Sequence, residues 1–128
     1  MSRYTVGSGS EYAIQKEFVR WIRTNHPTVL FCATVGGKRT HLIENVKARA
    51  TGYNKGVPDL LIYEARGGYH GLAMELKSTS GALSEEQKKW LEDLEARKYK
   101  TVVPRSVDEC KEAFIEYFKA SKNKKTEK

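Results

Sequence analysis

Two short apolar runs with charged residues at their outer ends constrain this chain more than any other feature. Asp59-Leu60-Leu61-Ile62-Tyr63 and Leu72-Ala73-Met74-Glu75-Leu76-Lys77 read as strands, and Gly67-Gly68 between them is a turn signal. Together they predict an antiparallel hairpin at the centre of a sheet. Side chains of a strand alternate between faces, so Leu72, Met74 and Leu76 share one side while Ala73, Glu75 and Lys77 share the other. A turn at Gly67-Gly68 sets the start of the first strand opposite the end of the second, which brings Asp59 beside Glu75 and Leu76. Unpaired charges are costly in buried strands, so three ionisable groups converging there need a purpose.

The rest of the chain supplies elements around this hairpin. Ile14, Phe18, Trp21 and Ile22 recur at helical spacing from Glu11 to about Asn25, and Pro27 ends the pattern. Val29 to Val35 reads as a strand closed by Gly36-Gly37. Lys38 to Lys55 is basic and weakly patterned, with a helical turn expected around Ile43 to Ala50, ended by Gly52. Ser84 to about Lys98 is an amphipathic helix with Leu83, Trp90, Leu91 and Leu94 on one stripe. Thr101 to Val103 is a short strand stopped by Pro104, and a last helix runs from about Val107 to Lys119. This order predicts an α/β fold, a mixed central sheet with helices on both faces. Residues 1–10 are expected to be a flexible lead-in, 11–118 the folded domain and 119–128 a basic disordered tail.

The 128 residues suffice for one core, and 39% hydrophobic with 30% charged residues is ordinary for a globular protein. Lys and Arg total 23 against 16 acidic residues, a net charge of +7 that attracts a polyanion, with nucleic acid the leading partner. Lys38, Arg39, Lys47, Arg49 and Lys55 cluster mid-chain as candidate DNA contacts. The plainer reading places the excess in the tail, where Lys119, Lys122, Lys124, Lys125 and Lys128 fall. No apolar run approaches the roughly 18 residues that span a bilayer, so a cytoplasmic or nucleoid-associated protein with no membrane partner is expected. Cys32 and Cys110 read as reduced core residues, and His26, His41 and His70 match no ligand spacing.

Paired carboxylates repel unless a cation or proton intervenes, and oxygen-only ligands suit Mg²⁺. Such a cation stabilises charge on a phosphate and acidifies water, with Lys77 placed to orient or deprotonate that water. The plainer reading is an exposed Glu75–Lys77 pair and an Asp59 that merely begins a strand. Gln87 lies on the inward stripe of its helix and needs a partner; Ser84-Glu85-Glu86-Gln87 also fits a capping box, and the two roles can coexist. Glu11 shares a face with Gln15, Phe18 and Ile22 and can reach the sheet, although Ser8-Gly9-Ser10-Glu11 also fits a capping box.

Gly56-Val57-Pro58-Asp59-Leu60-Leu61-Ile62, Glu75-Leu76-Lys77 and Leu83-Ser84-Glu85-Glu86-Gln87-Lys88-Lys89-Trp90-Leu91 together resemble the VRR-NUC (virus-type replication-repair nuclease) family of the PD-(D/E)xK nuclease superfamily, over about Glu11 to Phe118. The resemblance implies a restriction-endonuclease-like core and metal-dependent hydrolysis of DNA phosphodiesters. It implies metal binding by Asp59, Glu75 and the Leu76 carbonyl, with Glu11 and Gln87 supporting the site and Lys77 activating water, Mg²⁺ being the cofactor and Mn²⁺ a substitute. Small members resemble Holliday-junction resolvases and act as homodimers on branched DNA, which fits a viral or prokaryotic origin. Flap cleavage, a nicking or restriction-type nuclease, and a non-catalytic DNA-binding module stand as alternatives. The turn after the first strand, Thr34-Val35-Gly36-Gly37-Lys38, departs from the Asn-Gly type common in the family.

Overall fold

The computed structural model describes residues 10–34 and 42–124, with side chains from residue 46 onward in the second segment. The elements are α1 (Glu11–Asn25), β1 (Phe31–Ala33), α2 (Leu42–Ala50), β2 (Leu60–Ile62), β3 (Leu72–Met74), α3 (Glu85–Ala96), β4 (Lys100–Val102) and α4 (Val107–Lys119). Strand order is β1-β2-β3-β4, with β1/β2 and β2/β3 antiparallel and β3/β4 parallel. Two parallel strands need a crossover, and α3 supplies it. The β2/β3 register pairs Leu60 with Met74, Leu61 with Ala73 and Ile62 with Leu72, one residue out of step with the Arg66–Tyr69 bridge that flanks Gly67-Gly68. One extra residue therefore sits on the β2 side between turn and ladder and sets Asp59 level with Glu75 rather than Leu76. Both glycines have positive φ, 61° and 86°, the conformation glycine adopts without a steric cost.

Alternation then sorts the sheet's faces. Leu60, Ile62, Leu72, Met74 and Leu76 meet Ile14, Phe18 and Ile22 of α1 and Cys110, Phe114 and Tyr117 of α4 in one buried cluster. Ile14, Phe18 and Ile22 recur every fourth residue, which keeps them on one stripe of α1. The opposite face carries Leu61 and Ala73 toward Trp90 and Leu94 of α3. Helices therefore cover both faces of a mixed sheet.

Several elements differ from expectation. Strands β1, β2 and β3 are shorter than their apolar runs, β4 begins and ends one residue earlier than expected, and α2 is a full helix rather than a turn, closed at Gly52 with φ 118°. Ser10, not Ser8, caps α1, accepting the Ala13 N–H at 3.0 Å, which leaves Glu11 as the first helical residue instead of the third position of a box; Ser8 lies outside the described residues. Cys32 is exposed rather than buried: it sits on the edge strand β1, on the face that α3 shields mainly over β4. Cys110 is buried as expected, and burial, with the nearby Glu109 charge, pushes its thiol up to about 12.

The segment after α4 is tied to the β2–β3 turn. Arg66 donates to the carbonyls of Phe118 at 3.2 Å and Ala120 at 2.8 Å, and the Gly67 N–H donates to Ser121 O at 3.1 Å. Asn123 accepts the Gly68 N–H at 2.8 Å and donates to Tyr69 O at 3.1 Å. The first part of the expected basic tail, through Asn123, is thus held to the hairpin.

Candidate active site

The β2/β3 ladder ends at the Leu60–Met74 pair, and the next residues outward are Asp59 and Glu75. There the strands part company. Glu75 and Lys77 continue alongside β4, their N–H groups donating to Val102 O at 3.0 Å and Pro104 O at 3.1 Å. Asp59 stays with β1, its carbonyl accepting the Thr34 N–H at 2.9 Å, while Thr34 Oγ1 donates to Pro58 O at 3.0 Å. The Leu76 N–H therefore has no ladder carbonyl to meet, and Leu76 is fully buried. Asp59 Oδ2 accepts that N–H at 2.8 Å, a carboxylate standing in for a backbone acceptor.

Glu75 is held from the helix side. It is 2% exposed, and its Oε2 accepts a hydrogen bond from Gln87 Nε2 at 3.0 Å. The orientation of Gln87 follows from its other end: Oε1 accepts the Ser84 N–H at 2.9 Å while Ser84 Oγ accepts the Gln87 N–H at 3.1 Å, a complete capping box. Ser84 needs an acceptor, so the amide nitrogen must face Glu75. Capping and carboxylate support coexist in one side chain.

Asp59, Glu75, Gln87 and Glu11 line one cleft of about 170 Å³, together with Gln15, Thr34, Tyr53, Gly56 and Val57. Glu11 reaches it from α1, whose first turn lies at this end of the sheet. Both α1 and α3 thus begin at the cleft, and their N-terminal partial charges favour anions there. Gly56 has φ 94°, and a Cβ on it would lie 2.7 Å from the backbone of Glu86, so only glycine lets the 54–58 loop close on α3. Lys77 is not a lining residue. It shares the face of Glu75 one pleat further along, 8% exposed, against the turn containing Gly81.

Of the basic cluster, Lys47 and Arg49 are exposed on α2, and Lys55 is exposed 3.9 Å from Glu86; Lys38 and Arg39 lie outside the described residues. His26 caps the end of α1 against Trp21 and Phe114, far from a ligand role, and His41 is outside the described residues.

The donor chemistry fits a hard divalent cation. Every acidic group in the cleft offers oxygen only, and among the described residues no three His, Cys, Asp or Glu side chains are close enough to hold a metal by themselves. Two carboxylates plus a backbone carbonyl suit Mg²⁺, which uses one or two carboxylates and keeps its waters.

The model of the VRR-NUC domain matches residues 9–108. The chain belongs to the VRR-NUC domain family. Membership places it among nucleases, with DNA as the implied partner. A solved structure described as a VRR_NUC domain protein superposes with a TM-score of 0.76 at 24% identity, covering 91% of this chain and 93% of that one, a likeness of fold. No curated protein matches. No helix of the described VRR-NUC residues is long and apolar enough to cross a membrane.

Sequence reasoning passed over Tyr53, Thr34 and Gly56 as cleft residues. Gln15 carried a signal, since it follows Glu11 by one helical turn; Tyr53 carried none, standing in a loop without periodicity.

Proposed function

We propose that this VRR-NUC protein is a metal-dependent endonuclease that hydrolyses phosphodiester bonds in branched DNA. Asp59, Glu75 and the Leu76 carbonyl hold the cation, Glu11 and Gln87 support the pair, and Lys77 acts on the attacking water. The observation that carries this reading is one cleft in which Asp59 and Glu75 come side by side, each fixed by a hydrogen bond from a different element. When bound, Mg²⁺, or Mn²⁺ in its place, supplies positive charge against the phosphate and acidifies water at the site.

The chain's own residues do the rest. The Leu76 N–H and Gln87 amide orient the carboxylates before substrate arrives, so little reorganisation is needed during reaction. Burial of Lys77 against the Gly81 turn limits the positions its ammonium can take, which suits a group that orients or deprotonates water rather than one that follows a mobile phosphate. One such set cuts one strand, and resolving a four-way junction needs two cuts. A homodimer with twofold symmetry supplies them, and such a junction can present a matching twofold arrangement.

The test is a cleavage panel: labelled four-way junction, flap, splayed arm, duplex and single strand, each with Mg²⁺, Mn²⁺ or EDTA, for the native protein, Asp59→Asn and Glu75→Gln. Paired nicks in the junction, lost in EDTA and in both variants while DNA binding persists, are expected. Activity in excess EDTA or in either variant overturns the assignment of the site. Preference for flaps, or a monomer on the junction by light scattering, overturns the resolvase reading alone.

A further inference from the structure

A second cavity, of about 370 Å³, adjoins the carboxylate cleft and shares Thr34, Tyr53 and Val57 with it. Its walls include the side chains of Tyr53, Asn54 and Trp90. Of the two tryptophans, Trp21 is packed among Phe18, His26 and Phe114, whereas among the described residues no ring or cation stacks on Trp90 or on Tyr53. Two half-buried aromatic side chains therefore line a space next to the reaction centre without an aromatic partner of their own. Asn54 adds an amide whose one hydrogen bond among the described residues is a long one, 3.4 Å to Gly52 O.

Cationic side chains stand near the cavity, with Glu86 3.9 Å from Lys55 among them. Ala48 lines the cavity, and its neighbours Lys47 and Arg49 are exposed, as is Lys55 beside Asn54. Cationic side chains beside an aromatic-lined slot are what a nucleotide strand requires: its phosphates meet the cations and its bases meet the rings. The volume exceeds that of one base and falls near the lower end of pockets for small molecules, so it admits one nucleobase with part of its sugar.

We propose that this cavity receives an unpaired nucleobase of the strand whose phosphate lies in the carboxylate cleft, stacked on Tyr53 and Trp90, so that cleavage is directed to phosphodiesters beside an unstacked nucleotide. This rests on the nuclease reading above and adds to it a subsite. A base inside a continuous duplex cannot enter without being unpaired and unstacked, whereas one at a branch point or in a single strand can. Selection for branched or frayed DNA then arises from one pocket without reading base identity, since every base has a π-face.

The test uses the full chain in EDTA, so that binding is read without turnover. Affinity is measured for a short single-stranded oligothymidylate and for the same strand carrying a central abasic residue; a 2-aminopurine version reports stacking by quenching. The native protein should prefer the base-bearing strand by about five- to a hundredfold, the range set by stacking on an aromatic side chain. Trp90→Leu should bring that ratio toward one while leaving the salt dependence of binding unchanged. Trp90 also packs against the sheet, so Ala48→Leu, which fills the cavity from the exposed helix α2 and removes no contact, is made beside it; thermal melts confirm that both are folded. Equal affinity of the native protein for the two strands, or an unchanged ratio in Ala48→Leu, overturns the subsite. With Mg²⁺ restored, cleavage without base preference sinks the subsite and spares the nuclease. Base preference without cleavage supports the subsite and sinks the nuclease.

Discussion

Replacing Gln87 with Glu separates its two roles. A glutamate keeps the acceptor that Ser84 N–H needs, so the helix cap survives, but it sets a carboxylate oxygen where an amide donor now lies 3.0 Å from Glu75 Oε2. Two charges about 3 Å apart repel by about 5 kcal/mol at an effective dielectric of about 20. Holding a proton on a carboxyl with an ordinary value near 4.3 costs about 4 kcal/mol at pH 7, slightly less, which caps the penalty there. Gln87 is only half-buried, which lowers the penalty to about 2–4 kcal/mol near pH 7. The folded variant binds a proton more tightly than the unfolded chain, so destabilisation is full at neutral pH and fades as pH falls through the raised value, to about 1 kcal/mol near pH 5. At about 4 °C per kcal/mol, the melting temperature should fall by roughly 8–16 °C at neutral pH and by a few degrees near pH 5. Gln87→Ala, which loses both bonds, should be destabilised by about 2–4 kcal/mol with a weaker pH dependence of the same sign, since it withdraws a donor from the Glu75 carboxylate without adding a charge. Calorimetric melts in EDTA at both pH values decide it. Parallel pH profiles for Gln87→Glu and the native protein would refute the reasoning.

If the Lys77 ammonium acts on water and not on the cation, as proposed, Lys77→Met should lose at least about a hundredfold in turnover while still taking up Mg²⁺ by calorimetric titration; lost metal uptake together with lost fold marks a structural lysine instead. Neutralising Lys47, Arg49 and Lys55, with Lys38 and Arg39, should flatten the log–log salt dependence of DNA binding by about 0.9 per phosphate contact removed. Truncation after Asn123, which preserves the clasp on the hairpin turn, is the matched control: if it alone flattens the slope, the tail carries the contacts. Thiol titration near pH 8 should find one reactive cysteine, Cys32, with Cys110 reacting only on unfolding, since burial holds the Cys110 thiol up at about 12.

The elements that were legible in the sequence are those whose signals are local. α1 and α4 span the residues expected of them, and the Ser84–Gln87 box is readable from four letters. The approach of Asp59 to the Glu75–Leu76 stretch follows from alternation and one turn, but the exact register, one residue out of step with that turn, does not. What lay beyond reach depends on which surface a neighbour leaves uncovered. Cys32 has the apolar neighbours of a core residue, and only the position of α3 over the far side of the sheet exposes it. Strand ends were overread because Glu75 and Lys77 keep extended backbone while switching partners from β2 to β4. Tyr53 enters the cleft through the path of a loop, which no periodicity encodes. The approach of Glu11 is legible as a helical face, but its distance from the carboxylate pair is set by how α1 docks.

The two hydrogen bonds that fix the carboxylates close short stretches of chain, 17 residues from Asp59 to Leu76 and 12 from Glu75 to Gln87. Glu11 instead arrives on a helix whose docking relies on α4, at the other end of the sequence. The carboxylate pair and its amide clamps are thus contained in one continuous stretch of chain that closes cheaply in loop entropy, while α1 is joined to it by long-range packing. We expect local opening to reflect this: detachment of α1 should remove Glu11 and expose Phe18 while the Leu76 amide stays protected. Hydrogen exchange at the Leu76 amide slower than in the first turns of α1 is the signature. Such an order would make Glu11 the cleft residue most easily withdrawn and restored, leaving Asp59 and Glu75 in register throughout.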